Sequence, residues 1–325
     1  MEGLRPFRME DVEALIPLIA ACEEEDRSGF RPSVESLRHQ IAFPGIDVEN
    51  HCFVLPDSTG ALIASAGAIP IPGPDHLTFQ MILSVHPEYR PRGLEDELLG
   101  MIEAHAAEYC AQTQSQGVLH TGVQAQQQRF IDLYTRHGYH VIRWFLELER
   151  DLSEPILDAP LPPDIRIRRM DPERDIQAYY LAMTDSFQDH WDPHDLTLEQ
   201  ITHMVFSPSF RPDLTLLAFG EDGEPAGLCA GQGREERNRQ NGTQEGYIST
   251  VGVRRPFRRR GLARALLTQS MRLLQEAGRT MAVLHVDADS PTGATRLYES
   301  VGFRERKRSL VFEKPVGAPA AAKGV

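Results

Sequence analysis

The stretch Val251-Gly-Val-Arg-Arg-Pro-Phe-Arg-Arg-Arg-Gly-Leu-Ala263 holds the residues most suited to chemistry. A β-rich run, Tyr247–Val253, leads into a glycine turn, and a helical pattern opens at Leu262. That order aims the unbonded N–H groups of a helix start at one point, a ready site for an anion. Arg258, Arg259, Arg260 and Arg264 stand at or just inside the positive end of this helix, where the macrodipole disfavours cations. A local rule broken so heavily calls for compensation, and a bound polyanion would supply it. A solvated basic turn, or pairing with acidic neighbours, would also supply it. The register Arg258-x-x-Gly261-x-Ala263 between strand and helix favours the anion. Downstream, His285 and Asp287 alternate along a strand pattern and so point to one face, as substrate contacts would. His285-x-Asp287-x-Asp289 also has metal-ligand types, but with no further histidine and no second cluster it does not specify a metal.

Elements must hold these groups in place, and composition bounds them. The 325 residues suit two domains of ordinary size, and 41% hydrophobic with 25% charged residues is a globular composition. A net charge of −13 argues against nucleic acid or an anionic membrane as partner. No apolar run approaches the ~18 residues of a membrane span. The first residues lack the apolar stretch of a signal peptide. Cys22, Cys52, Cys110 and Cys229 form no C-x-x-C pair; they read as buried thiols of a cytoplasmic protein. Residues 151–163 hold four prolines and read as a linker. The expected parts are residues 1–150, the linker 151–163, residues 164–315 and a disordered tail 316–325.

The two halves repeat each other. Ser84–Leu99 laid on Gly252–Leu267 matches at seven of sixteen positions. Leu133-Tyr134 with Gly138-Tyr139 answers Leu297-Tyr298 with Gly302-Phe303 at nearly the same offset. In the second half the pattern runs strand Ile165–Arg168, helices Asp175–Thr184 and Thr197–Met204, and strands Leu214–Phe219, Ala226–Ala230 and Tyr247–Val253. Helix Leu262–Ala277, strand Met281–Val286, a helix capped by Ser290 and running through Tyr298, and strand Leu310–Glu313 follow. This is an α/β or α+β class with a central sheet.

The R-x-x-G-x-A turn resembles the pyrophosphate-binding motif of the GNAT superfamily of N-acetyltransferases. Asp287–Phe303 resembles that family's final helix signature, and the duplicated layout is similar to tandem-GNAT proteins. The resemblance covers nearly the whole chain. It implies two tandem GNAT-like domains, each a twisted, mixed, mostly antiparallel sheet flanked by helices, with acetyl-CoA in a gap between two central strands. It further implies that Val251, Gly252 and Val253 contact the acetyl-pantetheine arm and that Arg258, Arg259, Arg260, Gly261, Leu262 and Ala263 cradle the pyrophosphate. Ser290, where the family often has Asn, and Arg296 would face the cofactor's other side. Tyr298 matches the tyrosine that protonates the departing thiolate, although Tyr134 at the same place in the first half also suits a structural role. Glu245 lies near where the family often places a carboxylate base. The loop 185–192, with Asp189, His190 and Trp191, would line the acceptor side, where charge and a ring face suit a cationic amine. It also reads as a surface loop with capping aspartates.

The expected function is acetyl-CoA-dependent N-acetyl transfer by direct attack of a small-molecule or protein amine, in the C-terminal domain. The alternative is a non-catalytic CoA-sensing or partner-binding protein on a decayed fold. The first half is the expected scaffold: where the second has Ala263, it has Glu95, followed by Asp96 and Glu97, which satisfy a helix start and repel a pyrophosphate. The sequence leaves the oligomeric state open.

Overall fold

Branched and apolar residues in short runs make strands here, and the helices stripe their apolar faces onto them. The computed structural model describes residues 2–189, 196–290 and 293–317. They form two units: Met1–Arg143 with Ser309–Val325, and Trp144–Arg308.

In the first unit, strands β1 (Arg5–Pro6), β2 (Cys52–Pro56), β3 (Leu62–Pro72), β4 (Leu77–Val85) and β5 (Gly117–Gln124) lie side by side in that order. Helices α1 (Val12–Asp26), α2 (Val34–Ile41), α3 (Val48–His51), α4 (Leu94–Thr113) and α5 (Gln128–Arg136) accompany them. The segment His140–Asp151 is β6; its part from Trp144 onward belongs to the second unit. There it joins β7 (Arg166–Arg169), β8 (Leu216–Phe219), β9 (Pro225–Gln232), β10 (Glu245–Val253) and β11 (Met281–Asp287), in the order β7-β8-β9-β10-β11-β6. Helices α6 (Pro172–Phe187), α7 (Leu198–Val205), α8 (Glu235–Asn241), α9 (Leu262–Glu276) and α10 (Ala294–Ser300) complete it. The last strand, β12 (Arg304–Val316), gives Ser309–Val316 back to the first unit, antiparallel to β5.

The division therefore falls at Arg143/Trp144 rather than at the proline-rich stretch, and Ser309 onward leaves the second unit. The two closing strands are exchanged. Each follows an equivalent glycine turn in its own repeat, so sequence alone assigns each to the unit it follows. Val316 ends a strand rather than opening a tail, and residues 318–325 lie outside the described residues.

Both sheets are antiparallel except for one central pair in each, β4 with β5 and β10 with β11. Helix α9 buries Leu262, Leu266, Met271 and Leu274 at 1% exposure or less, and it lies so close to β10 that a Cβ on Gly246 would sit 2.5 Å from the Leu274 side chain. A residue larger than glycine at 246 would force the Leu274 side chain out of its place and disturb the packing of α9 on the sheet.

Candidate active site

Strands β10 and β11 pair only from Glu245↔Met281 to Ile248↔Leu284. At Ser249 the register against β9 shifts by one residue, a bulge that bends the strand. Beyond it β10 stays with β9 as far as Val253↔Gly227, and β11 stays with β6 as far as Asp287↔Phe145. The two central strands thus part like a V. The β10 edge at Thr250–Val253 loses its ladder partner on that side, leaving backbone donors and acceptors for a ligand.

The arginine turn closes the mouth of this V. Arg259 (φ +60°) and Gly261 (φ +83°) are both left-handed, which turns the chain sharply into α9. Glycine takes that conformation without cost, whereas Arg259 holds it against its preference. The start of α9 has neither a side-chain cap nor an acidic residue in its first turn. Its first intrahelical bond from the cap is Ala265 N to Gly261 O, at 3.1 Å, so the amides of Leu262, Ala263 and Arg264 precede it and are open to an anion.

The arginines divide into braces and free cations. Arg258 donates from Nε to Val253 O at 3.0 Å, from a terminal nitrogen to Ser186 O at 3.2 Å, and pairs with Asp189 at 2.7 Å. Arg254 pairs with Asp185 at 2.6 Å, Arg260 pairs with Asp164, and Arg264 donates to Ser300 Oγ at 2.9 Å. Arg258 and Arg260, expected on the pyrophosphate, are thus occupied by acidic neighbours of the chain. Arg90 makes the Arg258 contact again in the first unit, donating from Nε to Val85 O at 2.9 Å. The first arginine of the repeat is a structural brace in both. Asp189, expected on the acceptor, is held at a pKa of about 2 by hydrogen bonds and charge from Arg255 and Arg258, and so serves the turn. His190 and Trp191 lie outside the described residues. Arg259 and Arg296 are exposed, and among the described residues neither guanidinium has a partner.

Tyr298, on α10, is buried with its ring 6.0 Å from that of Phe303. Burial pushes its phenol up, and Cys229 and Tyr247 add to the shift; the group stays protonated. Helix α10 begins at Ala294 behind Gly293 at φ +68°, so Ser290 is not its cap. Ser290 sits half-buried beyond the end of β11, its amide donating to Asp287 O at 3.1 Å.

Glu245 is buried at the start of β10, and Arg306 takes its Oε1 at 2.6 Å. Its backbone is clamped on both sides by the Asn238 amide. Glu245, expected as the base, is thus engaged by the chain's own Arg306 through Oε1. His285 lies where the strands part. Its Nδ1 is 3.0 Å from the Tyr247 hydroxyl and its Nε2 3.3 Å from Glu147 Oε2. Burial would raise Glu147, but the hydrogen bond and charge of His285, with Arg306 and Arg237, overcome it and hold the carboxyl at about 2. A permanent carboxylate favours the proton on Nε2 and leaves the Nδ1 lone pair for the Tyr247 side. Asp287 shares the strand face with His285 but is buried, its Oδ1 accepting from Asp289 N at 3.0 Å. Glu147, Tyr247 and Arg306 carry no motif; only their strand parity could have marked them.

The depressed Glu147 pKa has a consequence for acid stability. Its folded value of about 2 lies below the ordinary 4.5. The stabilisation is therefore complete above about pH 4.5 and lost as pH falls towards 2, on the order of 3 kcal/mol. Urea unfolding of Glu147→Gln should show lower stability at neutral pH and a flatter acid limb over that window. An unchanged acid limb rejects the assignment.

The first unit carries the same turn in another state. Strands β4 and β5 part after Gln80↔His120, and Gly93 stands at φ +77° before α4. Here the helix start meets carboxylates of the chain itself. Asp26 takes both Arg90 (2.6 and 2.9 Å) and Arg129 (2.9 Å), buried Glu95 takes Arg129, and Asp96 takes Arg136 and His137.

The acetyltransferase (GNAT) family profile matches residues 16–139 and again 176–303, one match in each unit. The chain belongs to the GNAT acetyltransferase family. It is a tandem-domain member and an acyltransferase. The GNAT chain is 26% identical over 311 residues to a mycothiol acetyltransferase of Acidothermus cellulolyticus, covering 93% of this chain and 91% of that one. A mycothiol acetyltransferase of Thermobispora bispora is 29% identical over 310 residues, covering 94% and 96%. Among solved structures, a GCN5-related N-acetyltransferase from Sphaerobacter thermophilus superposes with a TM-score of 0.70 at 28% identity, covering 96% and 95%. A tandem GNAT protein from the clavulanic acid biosynthesis pathway gives 0.70 at 15% identity, covering 97% and 99%, and that likeness shows the fold alone. Among the described residues no helix is long and apolar enough to cross a membrane.

Proposed function

We propose that this GNAT protein is a cytoplasmic acetyl-CoA-dependent N-acetyltransferase whose active site is the V of the second unit, with a small-molecule amine as acceptor. The observation that carries the reading is the open, uncapped start of α9, preceded by exposed and unpartnered Arg259, where the first unit has filled its equivalent with carboxylates. The names of the mycothiol acetyltransferase relatives support acetyl transfer to a small molecule.

In this reading the amides of Gly261, Leu262 and Ala263 hold the pyrophosphate, with Arg259 and Arg296 as its cationic partners. The free β10 edge at Val251, Gly252 and Val253 takes the pantetheine arm. The thioester then lies near His285 and Tyr298. The imidazole, backed by Glu147, takes the proton of the attacking amine directly or through Tyr247. The new C–N bond forms at the thioester carbon, the C–S bond breaks, and Tyr298 donates its proton to the departing thiolate. Attack is direct. Cys229, the cysteine of this unit, is fully buried with its thiol pushed up to about 12 by burial, which disfavours an acetyl-enzyme.

Arg259→Ala with Arg296→Ala removes two charge-assisted phosphate contacts, each on the order of 1–3 kcal/mol before solvent screening. Isothermal titration should show acetyl-CoA affinity reduced at least tenfold, with a weaker salt dependence. Release of free thiol from acetyl-CoA, accelerated by members of an amine panel, is the matching activity. Unchanged affinity in the double variant moves the anion site elsewhere, and an absence of thiol release with every amine overturns the catalytic reading.

A further inference from the structure

The first unit keeps a cavity of about 200 Å³ in its own V, between α1, the diverging ends of β4 and β5, and α5. Its phosphate end is closed. Arg90, with a side chain only 7% exposed, is bound to Asp26, and Arg129 bridges Asp26 to Glu95. A nucleoside diphosphate arriving there would have to displace carboxylates already seated on both guanidiniums. The inner end remains open to a smaller molecule, with Met81, Leu83, Val123 and Phe130 on its apolar walls.

Glu23 gives this remnant a chemical preference. It lines the cavity at 9% exposure. Its two oxygens accept from Ser28 Oγ at 2.5 Å and from the Gly29 amide at 2.7 Å, and among the described residues no cation pairs with it. Arg90 and Arg129 are answered by Asp26 and Glu95, so the Glu23 carboxyl is left with neutral donors alone. A buried carboxyl with no cation beside it offers a place for a counter-charge. We propose that the first unit's cleft is a binding site for a small organic ammonium ion, its charge on Glu23 and its short apolar body against Met81 and Phe130. The volume lies below the ~300–1,000 Å³ of sites for drug-sized ligands, which limits the ligand to a few carbons. The unit then has a ligand of its own, of a class different from the thioester its fold is built around.

Isothermal titration of the full chain with ethanolamine and with 1,4-diaminobutane tests this, with ethylene glycol as the uncharged control. The expected result is saturable binding of at least one amine with a dissociation constant at or below about 1 mM and no binding of the diol. Glu23→Gln should weaken the amine at least tenfold while melting temperature and acetyl-CoA binding stay as in the parent chain. Retention of those two properties separates a lost site from a lost fold. A crystal soaked with the amine should show it beside Glu23. Binding undiminished in Glu23→Gln, equal binding of the diol, or no binding of either amine overturns the proposal. Because the readout is amine binding at Glu23 and not turnover, it fails independently of the acetyl-transfer reading.

Discussion

Tyr298→Phe is expected to lower kcat by about 10²–10⁴-fold, the range of a lost general acid, with acetyl-CoA affinity nearly unchanged. The substitution deletes one oxygen from a buried ring that packs on Phe303, so the shape of the core survives. In the proposed reading ground-state binding rests on the helix start and the β10 edge, which the hydroxyl does not build. What would disappear, in that reading, is a proton held ready for the thiolate. Burial keeps that proton on the phenol, so the group can act as a donor and not as a base. Loss of kcat with constant affinity marks an interaction made in the transition state. Steady-state kinetics beside titration calorimetry on the same variant give both quantities. Equal turnover would leave Tyr298 a core residue, as Tyr134 is in the first unit, where the buried phenol is pushed up to about 12.

The repeat and the glycine turn were legible because each depends on local pattern. Val251–Ala263 announces strand, turn and helix by residue type alone, and α9 begins at Leu262, as the spacing of its apolar stripe predicts. The exchange of closing strands was not legible. His140–Asp151 and Arg304–Val316 have the same alternation and could complete either sheet, and only long-range pairing decides between them. The functional arginines divided for a similar reason. The pattern shows four cations at one helix end, but which of them a carboxylate takes depends on Asp164 and Asp189, distant in sequence. Glu245 looked free for want of Arg306, which lies 61 residues away and 2.6 Å from it. Charge type is a local property; charge pairing is a tertiary one.

Asp26→Ala is expected to destabilise the chain by about 3–5 kcal/mol, the range for breaking a buried ion pair from one side. Asp26 has a side chain 12% exposed and takes two guanidiniums, one of them Arg90 at 7%. Removing it leaves Arg90 its bond to Val85 O but, for its charge, only the longer contacts to Glu25 at 3.5 Å and Glu95 at 3.8 Å. Asp189→Ala on the second unit is the contrast. It also removes a carboxylate from a pair of turn arginines, but at the surface, where ion pairs contribute little. The asymmetry is what the proposed reading expects: in it Asp26 and Glu95 stand in for an anion in the first unit, whereas the second leaves its helix start open. Titration of the parent chain should accordingly saturate at one acetyl-CoA per chain. Urea unfolding of the two variants, together with that stoichiometry, checks the argument. Two equally ordered cofactors in a soaked crystal, one beside Gly93, or an Asp26→Ala chain as stable as Asp189→Ala, would show that the first unit's carboxylates do not fill the place of the phosphate.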